Sequence, residues 1–126
     1  MTAPMRDPGT DQKLIVYRVQ AIDGRGPWRP GFSHVWVDDI AKPPAWIEEF
    51  NVRAVLRAAN GDVTGCACRS LDQLRRWFTQ DELNRLRVLG YFVVRLEVDR
   101  ILAESKHQVV FARKQPLAMD VETVHM

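Results

Sequence analysis

The amino-acid sequence predicts a single α+β domain with a mixed or antiparallel sheet and short helices. The chain has 126 residues, which is typical of one domain. Residues 91–98 alternate with the two-residue period of a strand. Residues 70–73 and 79–82 match helix capping boxes and precede leucines at helical spacing. Strand and helix patterns therefore occur together in a chain of single-domain length.

The two ends of the chain lack a clear pattern of secondary structure. Residues 1–12 contain Pro4, Pro8 and Gly9 without apolar periodicity, so we expect a flexible N-terminal lead. Residues 117–126 are expected to form a C-terminal tail. The domain itself is predicted to span residues 13–116.

The charge balance does not require a polyanionic partner, and we do not expect nucleic acid or a membrane as the partner. The formal net charge is +2, from 18 Lys and Arg residues against 16 Asp and Glu residues, and this field is too weak to compel binding to nucleic acid or membrane. No apolar run approaches the ~20 residues of a membrane span, and the first residues lack the apolar segment of a signal peptide. We therefore expect a soluble cytoplasmic protein.

Cys66 and Cys68 are the two cysteines of the chain. Their spacing is too close for an ordinary structural disulfide, so we expect reduced thiols. His34 or His107 could each add one metal ligand, but a second closely spaced ligand pair is missing from the sequence. We expect no metal cofactor.

In the first half of the chain, β-branched and aromatic residues at 13–20 predict a strand. Glycines and prolines at 21–31 predict a loop. Residues 34–37 favour a short strand, and residues 45–50, entered through two prolines, favour a short helix. The pattern at 51–60 fits either a helix or a strand.

In the second half, the Asn60-Gly61 turn precedes a predicted strand at 63–68. One helix is expected to begin at Ser70, and a second is expected to run from Thr79 to Gly90.

In the strand that follows these helices, Phe92, Val94, Leu96 and Val98 form the set predicted to face the core. Residues 99–105 are expected to form a helical turn, and residues 107–113 the last strand, which ends before Pro116.

Three short motifs resemble the framework of the ADP-ribosyltransferase superfamily. They are Tyr17-Arg18 on the first strand, Ser70 at a strand-to-helix boundary, and Gln108 at the head of Gln-Val-Val-Phe on a late strand. The resemblance implies that Arg18 holds the phosphates or ribose of NAD. It also implies an ADP-ribosyltransferase-like fold, with NAD or an ADP-ribose-type nucleotide as the ligand.

Gln108 stands where this superfamily has a catalytic glutamate. Departure of nicotinamide leaves positive charge on the ribose carbon, which a carboxylate stabilises and a neutral amide does not match. The resemblance places Ser70 and Gln108 at the catalytic position, where they would orient ribose hydroxyls. The missing carboxylate favours holding the nucleotide over transferring ADP-ribose to a host macromolecule.

Other candidate nucleotide contacts lie near these motifs. Trp28 could stack on a base and Arg29 could add charge in the glycine-rich loop. Ser33 and His34 adjoin that loop, and Arg69 lies beside Ser70 at a helix start that could receive phosphate.

Each candidate also has a purely structural explanation. Arg18 could lie along an edge strand with its head in water or paired with Glu97 or Glu104. Ser70 could serve only as a helix cap. Trp28 could fold onto the core.

The run of Tyr-Arg-Val, Gly-Arg-Gly-Pro, Ser-Leu-Asp-Gln-Leu-Arg-Arg-Trp-Phe and Gln-Val-Val-Phe also resembles small bacteriophage proteins. That likeness implies an anti-defence role in the cytoplasm of a bacterial host. The alternative function is therefore a non-enzymatic, anti-CRISPR-like protein that inhibits a bacterial defence protein by direct binding. Trp28, Trp36 and Trp46, with arginines, would form its contact surface, since these residue types are enriched at interface hot spots.

Overall fold

A computed structural model describes residues 14–28, 32–38 and 41–126. The predicted N-terminal lead and Arg29 lie outside these residues. The described helices are a 3-10 helix (Ser33–Val35), α1 (Trp46–Glu49), α2 (Val52–Ala59), α3 (Leu71–Leu74) and α4 (Gln80–Val88). The described strands are β1 (Leu14–Ala21), β2 (Val63–Ala67), β3 (Tyr91–Val98), β4 (Arg100–Glu104), β5 (Val109–Arg113) and β6 (Val121–Thr123).

These elements form a single α+β domain with antiparallel strand pairing, which confirms the predicted fold class. The strands make two three-stranded sheets, with orders β1-β3-β6 and β2-β5-β4. A backbone bridge joins the sheets, because Tyr17 and Cys68 exchange N–H···O bonds of 2.8 and 2.7 Å. This bridge brings the end of β2 beside the middle of β1.

The β1-β3-β6 sheet buries apolar side chains on both faces, since successive residues of a strand point to opposite sides. One face contributes Val16 and Leu96 to a cluster shared with Phe111 of the second sheet. The other face contributes Val19 and Val93 to a cluster with leucines of α3 and α4. The buried aromatic residues of this cluster include Trp36, Trp77 and Phe78. The domain therefore has a sheet-to-sheet core and a helix-side core.

Local capping explains where α3 and α4 begin. Ser70 Oγ accepts from the Gln73 backbone N–H at 3.1 Å, and Thr79 Oγ1 accepts from the Glu82 N–H at 3.1 Å. The Glu82 carboxylate accepts in turn from the Thr79 N–H at 2.8 Å, which closes a full capping box. Two consecutive short helices are thus confirmed.

Helix α2 resolves the ambiguous segment before the Asn60-Gly61 turn. Asn51 caps it by accepting from the Ala54 N–H at 2.9 Å, and Asn60 ends it in the left-handed conformation at φ 51°. Asparagine adopts this conformation at lower cost than most residues. The predicted helix at 45–50 is also confirmed, as α1.

The predicted strand at residues 34–37 is wrong, because the chain forms a 3-10 helix there. The Val37 N–H bonds to the Ser33 carbonyl at 2.9 Å. Trp36 is fully buried, and its Nε1 donates to the Pro27 carbonyl at 3.3 Å. The buried Trp36 side chain therefore holds this segment against the core, and pairing with a neighbouring strand is not needed to fix its position.

The helical turn predicted at residues 99–105 is also wrong. These residues contain β4, which pairs with β5 from Arg100 opposite Ala112 to Glu104 opposite Val109. The partner strand satisfies the backbone groups that a helical turn would have satisfied internally.

The prediction that Phe92 faces the core is wrong, since its side chain is exposed while Tyr91 and Val93 are buried. Val94, Leu96 and Val98 are buried as predicted. One face of β3 is buried at Val94, Leu96 and Val98 and the other at Tyr91 and Val93, so alternation alone does not identify a single inner face.

Strand β5 confirms the prediction at residues 107–113, but it is not the last strand. The chain continues to β6, whose Val121 lies opposite Leu96 of β3. Residues after Pro116 therefore complete the first sheet. No helix in the part of the chain that the structure describes is long and apolar enough to span a membrane.

Candidate functional site

Arg18 lies between the two sheets, on the face of β1 that also carries Val16. Its side chain is 8% exposed, and its guanidinium carbon lies 5.9 Å from the centre of the Phe111 ring. Nη1 donates to the Cys66 carbonyl at 3.0 Å and Nη2 to the Gly24 carbonyl at 3.1 Å. Nε is buried without a hydrogen-bond partner. The explanation that its head lies in water is therefore wrong.

Gly65 of β2 makes room for this guanidinium. A Cβ atom at residue 65 would lie 2.6 Å from Arg18 Nη1 and 2.9 Å from Phe111 Cζ. Burial lowers the pKa of Arg18, whereas the nearby Cys66 thiol acts in the opposite direction. A guanidinium nevertheless stays charged in a protein, so a cation is held in the sheet-to-sheet core.

No carboxylate pairs with Arg18 among residues 14–28, 32–38 and 41–126. Glu104 instead receives both arms of Arg69, at 2.9 Å each. Glu97 lies opposite Ile15 in the β1–β3 register and so belongs to the other face of the sheet. The two structural partners expected for Arg18 are therefore not its partners.

Gln108 is buried at 2% exposure on the side of the second sheet nearest α1. Its Nε2 donates to the Pro44 carbonyl and to Glu49 Oε1, both at 2.9 Å. The amide thereby ties α1 and the residues before it to the start of β5. This contact gives Gln108 a structural role.

Ser70 is exposed, and its hydroxyl oxygen is occupied by the cap of α3. Arg69 beside it is held by Glu104 in an exposed bidentate pair. The structure shows no polar contact that joins Ser70, Arg69 or Gln108 to Arg18 within the described chain. The predicted catalytic pair is thus not assembled around the predicted phosphate-binding arginine.

Trp28 lies against the helix-side core with 42% of its side chain exposed. Its ring is 4.7 Å from that of Trp36 and 5.9 Å from that of Phe78, between ring centres. Ser33 and His34 follow on the 3-10 helix, half-buried and exposed respectively. The loop reaches Arg18 through the Gly24 carbonyl, so it contacts the guanidinium by its backbone.

The sequence interpretation missed a buried network around Glu82. Its fully buried carboxylate accepts from Lys42 Nζ at 2.5 Å and from the Asp38 N–H at 2.7 Å, in addition to the capping bond from Thr79. Burial alone would raise the pKa of Glu82, but these hydrogen bonds together lower it. The capping box was the available signal, although it did not reveal Lys42 as a partner.

Asp38 extends this network, since its carboxylate pairs with Arg85 and accepts from Thr79 Oγ1 at 3.1 Å. Arg85 Nε also donates to the Trp36 carbonyl at 3.1 Å. The segments around Trp36 and Lys42 are therefore fixed to α4 by charged hydrogen bonds.

Both cysteines are free thiols. Burial, reinforced by the neighbouring Cys66, raises the pKa of Cys68 to about 12. Burial also raises the pKa of Cys66, although the Arg18 charge partly opposes the change. Among the residues whose positions are described, no group of three His, Cys, Asp or Glu side chains could hold a metal ion.

Four exposed apolar side chains lie near the turn from α4 into β3, with Phe92 on the face of β3 opposite to the Tyr91 and Val93 face that packs against α4. Ile22 and Val88 are each 88% exposed, and Leu89 and Phe92 are 39% and 38% exposed. Gln20 lies opposite Phe92 and Ala21 opposite Tyr91, which brings Ile22 to the same end of the sheet as the α4–β3 turn. We call Ile22, Val88, Leu89 and Phe92 the apolar patch.

Comparisons with known proteins bear on the identity of the chain. No curated protein and no solved structure matches it, and no ADP-ribosyltransferase signal was found. The family model described as Bacteriophage T4 Y00F protein matches residues 5–125. Because this match extends over nearly the whole sequence, the chain belongs to the bacteriophage T4 Y00F protein family.

Proposed function

We propose that this phage-family protein acts without catalysis, by binding a bacterial host protein directly. The apolar patch is the observation that carries the proposal. Isolated exposed apolar residues are normal on a protein surface, but a group of them gathered at one end of a sheet favours an interaction site. The patch places four such side chains at one end of the first sheet.

The exposed fractions set the size of the available driving force. Burying a Val, Leu, Ile or Phe side chain contributes about 1.5–3 kcal/mol. Ile22 and Val88 remain 88% exposed in the isolated domain, so nearly all of this contribution is available to an association.

The expected partner is a host defence protein, which the resemblance to small bacteriophage proteins implies. The residues proposed from sequence for the contact surface require revision. Trp36 is fully buried and cannot contact a partner, and Trp46 is half-buried. Trp28 retains 42% exposure and stays a candidate contact.

An affinity-capture experiment tests this function. The wild-type chain, the double variant Ile22→Asp/Val88→Asp and the control Leu56→Asp would each be immobilised and exposed to lysate of the bacterial host. Leu56 is 52% exposed on α2, which packs against the second sheet, so its variant places a charge on an apolar site outside the patch.

We expect one host protein to bind the wild type and Leu56→Asp. Its dissociation constant, measured after purification, should rise at least ~100-fold with the double variant, since two buried apolar contacts are lost. Equal binding to all three chains would refute the patch as the contact surface. Recovery of no specific host protein would refute the proposed function.

A second candidate function is the binding of NAD or an ADP-ribose-type nucleotide. Arg18 favours it, because a buried guanidinium with no carboxylate partner among the described residues is a cation to which a phosphate would be complementary. Gln108 lacks the carboxylate required for transfer, so this hypothesis is one of holding the nucleotide.

Calorimetric titration with NAD and ADP-ribose tests this candidate. Micromolar binding that disappears in Arg18→Ala and persists in Arg25→Ala would support it. Arg25 is a suitable control because it is exposed and already paired with Asp23 at 2.9 Å. Absence of binding heat with the wild-type chain would exclude both nucleotides as ligands.

A further inference from the structure

Three parts of the chain contact the Arg18 guanidinium, and they differ in how firmly they are held. Gly65 of β2 and Phe111 of β5 lie against it, and these two strands are fixed by their antiparallel ladder. The third part is the loop after β1, whose Gly24 carbonyl accepts from Nη2 at 3.1 Å. Residues 22–27 of this loop lie outside the strands, and we call them the lid.

The lid has one surface towards solvent and one towards Arg18. Asp23 and Arg25 are exposed, whereas Gly24 between them is buried. A Cβ atom at Gly26 would lie 3.6 Å from Arg18 Nη2, so the lid backbone approaches the guanidinium at two positions. The lid is therefore the part of this enclosure that separates Arg18 from solvent on the Nη2 side.

Leu117 holds the lid in place from the C-terminal part of the chain. A Cβ atom at Gly24 would lie 2.6 Å from Leu117 Cβ, so the two residues are in direct contact. The Leu117 side chain packs against the sheet-to-sheet core, and its carbonyl accepts from Gln20 Nε2 at 2.8 Å. Its neighbours Pro116 and Ala118 are exposed. Leu117 thus links the lid to the core.

Three side chains fasten the lid and Leu117, and each has a buried atom without a hydrogen-bond partner among the described residues. These atoms are Arg18 Nε, Gln20 Oε1 and Arg113 Nη1. Arg113 ends β5 and donates from Nη2 to the Met119 carbonyl at 2.5 Å, two residues after Leu117. An unpaired buried polar group destabilises the state that buries it, and water satisfies that group when the state opens. The closed lid is therefore less stable than the strand ladders beside it.

We propose that the lid opens locally while both sheets stay folded, and that this opening exposes the Arg18 guanidinium to solvent. Release of the Gly24 carbonyl frees Nη2 to donate to an anion from solution. The packing of Leu117 sets the equilibrium between the closed and open lid. Use of the opening by a nucleotide rests on the second candidate function, whereas the opening itself does not.

Phenylglyoxal, which modifies accessible arginine side chains, tests the proposal with the full-length chain. Peptide mass spectrometry would follow the modification of Arg18 and, as an internal reference, of Arg53, which is exposed on α2. The main variant is Leu117→Ala. The matched control is Leu14→Ala, because Leu14 is likewise partly buried against the sheet-to-sheet core but lies at the other end of β1 from the lid.

In the wild type, we expect Arg18 to be modified at least ~10-fold more slowly than Arg53, since it reacts only when the lid is open. Leu117→Ala should raise the Arg18 rate ~10-fold, because the truncation weakens the closed lid and not the open one. Leu14→Ala should leave the rate nearly unchanged. Urea below the unfolding transition should affect the wild-type rate weakly, since a local opening exposes little surface.

Three results would overturn the proposal. They are modification of Arg18 as fast as that of Arg53, equal acceleration in Leu117→Ala and Leu14→Ala, and a urea dependence of the Arg18 rate as steep as that of global unfolding. If Leu117→Ala does not fold, the urea dependence in the wild type decides the proposal alone.

Calorimetry with NAD separates the lid from the nucleotide candidate. Tighter NAD binding to Leu117→Ala than to the wild type would support both, because less binding energy is then used to open the lid. Absence of binding heat with both chains would refute the nucleotide candidate, and the modification rates of Arg18 would still decide the lid.

Discussion

Glu82 and Arg18 are both charged and both buried, but the chain surrounds them differently. The Glu82 carboxylate receives hydrogen bonds from Lys42 and from two backbone N–H groups. Within the described part of the chain, the Arg18 guanidinium donates to two backbone carbonyls and its Nε has no hydrogen-bond acceptor. Arg113 has the same deficit at Nη1.

The Glu82 carboxylate is thus compensated by an opposite charge, Lys42. The two arginines are compensated by the dipoles of backbone carbonyls. On the helix side, the Glu82 carboxylate pairs with Lys42 and accepts from the Thr79 backbone N–H at the start of α4. Its ionised form therefore stabilises the native state. Between the sheets, the arginines meet carbonyl oxygens, which offset only part of the cost of burying a charge. External ligands are therefore best sought at the arginines.

Glu82→Gln should give the largest effect. It removes the carboxylate and leaves Lys42 with its buried partner neutralised, so we expect a loss of about 3 kcal/mol in the free energy of unfolding. Urea denaturation measures this change. The control Asp81→Asn alters an exposed neighbour on α4 and should cost no more than about 0.5 kcal/mol. Equal losses of stability in the two variants would show that the buried Glu82 carboxylate stabilises the fold no more than an exposed one.

Gly65→Ala should follow, with a loss of about 2 kcal/mol in the free energy of unfolding. The new Cβ would lie 2.6 Å from Arg18 Nη1, whereas a Cβ at Gly26 would lie 3.6 Å from Nη2. Gly26→Ala is therefore the matched control, and its effect should be small.

A double-mutant cycle with Arg18→Ala sharpens this prediction. The cost of Gly65→Ala should fall when Arg18 is absent, because one of its two close contacts disappears. Unchanged cost in that background would show that Phe111 alone restricts residue 65.

Acid should destabilise the wild type through Glu82. Its folded-state pKa is lowered from 4.5, so its contribution is present above pH ~4.5 and is lost as the pH falls through the lower folded-state value. The free energy of unfolding, measured by urea denaturation from pH 7 to pH 3, should decline less in Glu82→Gln than in the wild type. Parallel declines would mean that other carboxylates account for the acid sensitivity.

The smallest effect concerns Cys66, the thiol nearest Arg18. Burial raises its pKa despite the adjacent cation, so both cysteines should stay protonated and react slowly with iodoacetamide at pH 8. Unfolding in urea should speed the labelling. Rapid labelling of Cys66 in the folded protein would identify a thiolate beside Arg18, and the buried guanidinium would then have an anionic partner.

Features set by neighbouring residues could be predicted from the sequence. Ser70 and Thr79 start helices because their hydroxyls bond to backbone groups three residues later. The strands near Val16 and Val63 were likewise recognisable from β-branched residues. At residues 99–105 the local sequence did not predict the observed conformation, because pairing with β5 makes this segment a strand and not a helical turn.

The candidate site was predictable only in part. The sequence suggested either a ligand contact for Arg18 or an edge-strand position with its head in water or beside Glu97 or Glu104, whereas the structure buries it. Gln108 and Ser70 were grouped with it from short motifs, but the fold gives each a different partner. The order of motifs along the chain does not predict which side chains from separate strands contact one another.

The sequence by itself determined the α+β class, the caps of α3 and α4, and most strand positions, because these depend on contacts within a few residues. Tertiary structure alone decided that Trp36 is buried and that Lys42 reaches Glu82. It also decided that Arg18 and Arg113 are buried with no carboxylate partner among the residues that the structure describes. Such contacts join residues far apart in the chain. Their energies depend on burial and on partner geometry, which the packing of the two sheets and the helices creates.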